Sequence, residues 1–169
     1  CGFDLAAAEV YTGHCANGGQ IISGFRYNGV NIPADATITR AHLLFTVDQP
    51  YTQTMHLRFY GDNSPASPTF SSSNKPQDRP LTSAWLQWEI PTADEWYIWQ
   101  KRYSPNLAPV AQEIVTEHPN WQPGVSALTF IVQPAPGFTG NQHRRVMAYE
   151  REGLLGYYSA RLLLWYESP

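Results

Sequence analysis

The chain has 169 residues, a length that suits one domain, and its hydrophobic content of 43% is enough for an ordinary core. Only 15% of the residues are charged, whereas 14% are aromatic, and there are 14 prolines and 12 glycines, so loops and aromatic faces are expected to dominate over salt-bridged helices. A net charge of -3 and no block of Lys or Arg argue against a nucleic-acid interface. No apolar run approaches the roughly 20 residues that cross a bilayer, so no membrane span is predicted.

Hydrophobic alternation predicts a series of short strands along the whole chain. In residues 41–48 the apolar side chains of Ala41, Leu43, Phe45 and Val47 share one face, which is typical of a half-buried strand. Residues 128–132 and 162–165 are apolar at successive positions, which predicts central strands covered on both faces. The predicted strands are 5–11, 20–27, 36–48, 54–60, 83–90, 126–133, 143–151 and 159–167. They indicate an all-β fold, an antiparallel two-sheet β-sandwich of jelly-roll type, formed as one domain over 1–169.

One short α-helix is predicted at about 106–117. Its apolar residues recur at helical spacing, with Asn106 as the N-cap and Pro109 in the first turn, where proline costs no helical hydrogen bond. The stripe comprises Leu107, Val110, Ala111, Ile114 and Val115.

The two cysteines, Cys1 and Cys15, allow two mutually exclusive predictions. In an oxidising compartment they would form a disulfide, worth roughly 3 kcal/mol for a loop of about 15 residues. Alternatively, Cys1 followed by a small residue is similar to the lipidated N-terminus of a mature bacterial lipoprotein, and its sulfur could not then bridge to Cys15.

Several segments together resemble extracellular bacterial β-sandwich domains related to the DNRLRE-type modules, which are carbohydrate-binding-like. They are 24–48 (GFRYNGVNIPADATITRAHLLFTVD), 57–70, 79–91, 106–121 (ending in HPNW) and 126–133. The resemblance implies a β-sandwich in a secreted or surface protein. The chain departs from it in lacking the DNRLRE string, in the unusual segment 92–104, in Trp85 where a small polar residue is expected, and in Glu150 where aspartate is usual.

No catalytic residue is predicted, since the sequence has neither a G-x-S-x-G elbow nor a recognisable Cys–His arrangement. Glu150 and Glu152 could share a strand face as the carboxylate pair of a glycosidase. Neighbouring arginines favour ordinary ion pairs for both residues, so the chain is not expected to be an enzyme.

A structural calcium ion is the one candidate cofactor. Asp48, Asp62, Asn63 and Asp78 are loop-side oxygen donors of the kind that calcium prefers. Such residues also cap turns, which is the competing interpretation.

Exposed aromatic rings are the strongest functional signal. Trp96, Tyr97, Trp99 and Tyr103 cluster in the segment 92–104, and Trp85 faces outward on a predicted strand. Sugar rings pack their apolar faces on such side chains, so we predict a noncatalytic extracellular or cell-surface module that binds a polysaccharide or surface glycan. The alternative is a structural subunit of a filament, sheath or complex cap, whose aromatics contact copies of itself or other surface proteins.

Overall fold

The computed structural model describes residues 2–64, 66–138, 142–151 and 157–168. Their strands are β1 (Glu9–His14), β2 (Gln20–Ile21), β3 (Ser23–Tyr27), β4 (Thr37–Thr46), β5 (Met55–Asp62), β6 (Leu81–Ile90), β7 (Lys101–Tyr103), β8 (Leu128–Pro134), β9 (His143–Met147) and β10 (Arg161–Glu167). A single helix, α1 (Ala108–Glu117), and a 3-10 turn at Pro76–Asp78 complete the regular structure of these residues. None of their helices combines the length and apolarity needed to cross a membrane.

The strands form an all-β, sandwich-like fold of antiparallel sheets, as predicted. One layer is the four-stranded sheet β3-β8-β5-β6, and two three-stranded sheets, β2-β1-β9 and β10-β4-β7, make up the remainder. These smaller sheets meet where Val47, directly after β4, bridges to Val146 of β9. The sequence predicted two sheets, whereas the described residues form three, because the pairing of β1 with β9 joins segments that are distant along the chain.

The core lies between β4 and the four-stranded sheet. Ala41, Leu43, Phe45 and Val47 are buried, which confirms the alternation predicted for this strand. The Phe45 ring packs edge-on against Phe25 of β3 at 5.3 Å between centroids. Burial of such rows is the main favourable term for a sandwich, at about 25 cal/mol per Å² of apolar surface.

Helix α1 closes one end of this core. Every residue of its predicted stripe is buried, and Gly61 of β5 lets it approach, since a Cβ there would come within 2.6 Å of the Ile114 Cδ1. The Glu113 carboxylate accepts hydrogen bonds from the backbone N–H groups of Ser83 and Ala84, both at 2.6 Å. The N-cap is Leu107 and not the predicted Asn106, so the helix begins one residue later than expected. The Asn106 Oδ1 still accepts a hydrogen bond from Ala108 N at 3.1 Å, and it ties the helix start to β4 by accepting another from Ala41 N at 2.9 Å.

Two differences from the sequence predictions affect the candidate site. Residues 128–132 of β8 are buried in the centre of a sheet, as predicted, but β10 is an edge strand with half-buried and exposed side chains. Strand β7 was not predicted at all, because three residues are too few to show alternation. Both strands flank β4, and their positions define the candidate site.

Candidate functional site

The outward side of the β10-β4-β7 sheet carries a row of half-buried and exposed aromatic side chains. His42 of β4 lies between Tyr103 of β7 and Trp165 of β10, with ring centroids 6.3 Å and 6.4 Å apart. Tyr103 is 57% exposed and Trp165 is 48% exposed. We call this surface the aromatic face; its members are His42, Trp99, Tyr103, Tyr157, Tyr158 and Trp165.

Strand pairing explains why these rings share a side. Phe45 points into the core, so its neighbour Leu44 points outward, and Leu44 pairs with both Tyr103 and Arg161. His42 pairs with Leu163, two residues along, and lies on the same side. The Nδ1 atom of His42 lies 2.9 Å from the Ser104 carbonyl oxygen, a hydrogen-bond distance that fixes the orientation of the imidazole.

The rings of Trp99, Tyr158 and Tyr157 continue the aromatic face beyond β7. Trp99 and Tyr158 are 5.0 Å apart between centroids, and Tyr158 and Tyr157 are 4.6 Å apart. Lys101 joins this group to the strands, because its Nζ lies 5.3 Å from the Tyr158 ring and donates a hydrogen bond to Thr46 Oγ1 at 2.5 Å.

Trp99 has a backbone φ of 70°, in the left-handed region that residues other than glycine rarely adopt. This conformation costs about 1–2 kcal/mol and is maintained here by a hydrogen bond from Trp99 N to the Val47 carbonyl oxygen at 2.9 Å. The result is an indole that is 48% exposed on the aromatic face, next to Tyr158. Strain of this kind is found preferentially at functional sites.

The polar groups beside the rings are cationic. Arg161 donates from its Nη2 to the Tyr157 carbonyl oxygen at 3.0 Å, and Arg40 lies opposite Trp165 in the sheet. Partial burial, and secondarily the nearby positive charge of Arg161, lower the pKa of Lys101. The aromatic face thus combines flat apolar rings with charged donors.

Of the five residues predicted to bind a ligand, Trp96 is not at the surface, so the prediction for it was wrong. It was predicted to be exposed but is 1% exposed, because Tyr51 and Trp96 form a β-bridge that brings the indole against Trp88, 5.6 Å away between centroids. The guanidinium carbon of Arg144 lies 5.4 Å from the same ring. Burial in this position lowers the pKa of Arg144 to about 10.

The other four predicted residues are exposed but do not form one site. Trp99 and Tyr103 belong to the aromatic face, whereas Trp85 lies on the outward side of the four-stranded sheet under the guanidinium of Arg58, whose Cζ is 3.9 Å from the ring centroid. Tyr97 is 56% exposed in the loop before β7 and donates its hydroxyl to the Glu95 carboxylate, which raises the pKa of Tyr97.

Several members of the aromatic face were missed in the sequence. Trp165 was assigned to the core because residues 162–165 are continuously apolar, and Tyr157 and Tyr158 carried no recognised pattern. The available signal was a Trp at an alternate position of a strand that also begins with an arginine, Arg161. A solvent-facing edge strand and a buried strand can both contain such residues, so composition alone did not distinguish the two positions.

The four predicted calcium ligands do not form the expected site in the described parts of the chain. Asp48 pairs with Arg145, with 2.5 Å between Oδ2 and Nε, and also with Arg151. Asp62 is fully buried and pairs with Arg79. Asn63 donates its backbone N–H to the Pro80 carbonyl oxygen, and Asp78 is exposed in the 3-10 turn. No group of three or more His, Cys, Asp or Glu side chains among those residues could hold a metal ion.

The predicted Cys1–Cys15 disulfide stays a prediction, since Cys1 lies outside the described residues. Cys15 is buried directly after β1, and its backbone N–H donates to the Gly19 carbonyl oxygen at 2.8 Å.

A groove of about 1300 Å³ opens between the edge strands β3 and β10. Val10, Phe25 and Leu162 line it with apolar surface, and the Tyr27 hydroxyl donates to the Ala160 carbonyl oxygen at 3.1 Å. Glu150 also borders the groove, while Glu152 lies outside the described residues. The sequence predicted that neighbouring arginines pair with these glutamates. In the structure, Arg145 and Arg151 both pair with Asp48.

No protein-family model matches the chain, and no curated protein sequence matches it either.

Proposed function

We propose that this chain is a noncatalytic extracellular or cell-surface module that binds carbohydrate through the aromatic face. The observation that carries the proposal is the pair Tyr103 and Trp165, exposed on strands that flank β4, with His42 between them. Exposed aromatic side chains grouped on a rigid sheet are the surface on which the apolar faces of sugar rings pack.

Polar groups at the rim would supply orientation. His42, Lys101 and Arg161 stand beside the rings and can donate hydrogen bonds to hydroxyl or ring oxygens of a bound glycan. The resemblance to carbohydrate-binding-like extracellular domains supports the same class of ligand and the same location.

Alanine replacement of single rings tests this proposal. We expect Trp165→Ala, Tyr103→Ala and Trp99→Ala each to weaken binding to a retained polysaccharide by about tenfold, which corresponds to about 1.4 kcal/mol. Affinity electrophoresis through gels containing a panel of soluble polysaccharides, followed by titration calorimetry with any that retard the protein, measures the effect.

Trp85→Ala is the matched control, because this indole is equally exposed, at 43%, but lies on the outward side of the other sheet. It should leave the affinity unchanged. If Trp85→Ala weakens binding as much as the three replacements on the aromatic face, or if those three leave it unchanged, the aromatic face is not the binding surface.

A structural subunit is the second candidate, and the open edges of β3 and β10 favour it. Each of these strands pairs on one side only among the described residues, and free strand edges can add a strand from another copy of the chain. Assembly predicts a molecular mass that rises with protein concentration in light scattering. A constant monomer mass up to millimolar concentration would contradict this candidate.

A further inference from the structure

We infer that the glycan bound by the aromatic face is acidic, a uronic-acid polysaccharide whose carboxylates pair with Arg40, Lys101 and Arg161. This inference rests on the carbohydrate-binding function proposed above and adds the chemical class of the ligand.

Cations flank the rings at both ends of the aromatic face. Arg161 and Tyr103 lie on either side of Leu44, and Lys101 follows opposite Thr46, whereas Arg40 lies opposite Trp165. Arg40 and Leu44 are four positions apart on β4, a span of about 13 Å at 3.3 Å per residue. A chain lying along β4 over the rings would therefore meet positive charge at more than one point.

These three cations have no carboxylate partner in the part of the chain that the structure describes. The ion pairs found there involve Arg79, Arg102, Arg145 and Arg151 instead. Strands β4, β7 and β10 contain a single acidic residue, Glu167, which pairs with Thr37 and lies at the Arg40 end of the sheet, away from Lys101 and Arg161. In a protein whose net charge is -3, three cations on one face, beside the exposed rings, make that face locally positive.

Lys101 and Arg161 also repel each other. The charge of Arg161 is the second cause, after burial, of the lowered pKa of Lys101. A ligand carboxylate between the two side chains would remove this repulsion and form charge-assisted hydrogen bonds with both.

A nucleic acid would also combine negative charge with flat rings, but the charges favour the glycan. Nucleic-acid binding draws its affinity from many phosphate contacts, whereas three cations on one face of an acidic protein neutralise few. A uronic-acid chain carries one carboxylate per acidic sugar and presents C–H faces to the rings.

The test compares each acidic polysaccharide with its neutral form. Polygalacturonate, alginate and hyaluronate are titrated beside carboxyl-reduced samples of the same polymers, with oligo(dT) as a polyanion of another class. We expect at least one acidic polymer to bind at least tenfold more tightly than its reduced form and than oligo(dT), with an affinity that falls as salt is added.

Charge-removing variants place the effect on named side chains. Lys101→Gln and Arg161→Gln should each weaken binding of the acidic polymer by about tenfold and weaken binding of the reduced polymer much less, because glutamine still donates a hydrogen bond but carries no charge. Lys75→Gln, which removes the other lysine of the chain near Phe3, is the matched control and should have no effect.

The outcomes separate this inference from the function on which it rests. Equal binding of the acidic and reduced polymers, sensitive to Trp165→Ala, would overturn the acidic ligand and keep the carbohydrate function. Tighter binding of oligo(dT) than of any glycan would overturn both in favour of a nucleic acid. Retention of no polysaccharide, acidic or neutral, would also overturn both.

Discussion

Replacing Asp62 with alanine should lower the free energy of unfolding by about 3–5 kcal/mol. The Asp62 carboxylate is fully buried and lies 2.7 Å from the Arg79 Nη1, whose side chain is also buried. It also accepts hydrogen bonds from the Ser67 hydroxyl and from the Ser64 backbone N–H, both at 2.9 Å. Without it, a buried guanidinium loses its counter-charge, and the loop after β5 loses its attachment to the sheet. Chemical denaturation followed by tryptophan fluorescence measures the loss.

Asp78→Ala is the matched control, since it also replaces an aspartate of the same loop, but one that is exposed. It should change the free energy of unfolding by less than about 0.5 kcal/mol. The double replacement Asp62→Leu with Arg79→Met should cost less than Asp62→Ala alone, because it removes the buried charge together with its partner. If Asp62→Ala and Asp78→Ala prove equally mild, the buried ion pair does not contribute as described.

Trp96→Ala should lower the free energy of unfolding by about 3–5 kcal/mol, because a buried indole is replaced by a cavity. The ring packs against Trp88 and lies under the guanidinium groups of Arg144 and Arg102, whose carbons are 5.4 Å and 5.9 Å from the ring centroid. Urea unfolding measures the change.

Tyr97→Ala provides the comparison, since the neighbouring ring is 56% exposed and should contribute less than about 1 kcal/mol. At temperatures where the Trp96→Ala protein is still folded, its affinity for a polysaccharide bound by the aromatic face should match that of the unmodified protein. A specific loss of binding with unchanged stability would mean that Trp96 is a surface residue after all.

The alternation and helical spacing in the sequence determined which side chains share a face. The inward row of β4, the buried stripe of α1 and the central strand β8 were all predicted from local patterns, because the period of a strand or helix is a property of the backbone itself. The all-β class follows from the number and composition of the short apolar segments.

What covers each face was decided only by the tertiary structure. Residues 162–165 have the composition of a central strand, yet β10 lies at an edge, so Trp165 faces outward and joins the aromatic face. Trp96 is buried and Trp99 exposed within one short segment, because a bridge to Tyr51 draws the first indole inward while a left-handed backbone conformation presents the second. The segments that form the bridge to Trp96, bind the backbone of Trp99 and pair with β10 each lie about 45 residues or more away along the chain. A local sequence pattern holds no information on contacts at that separation.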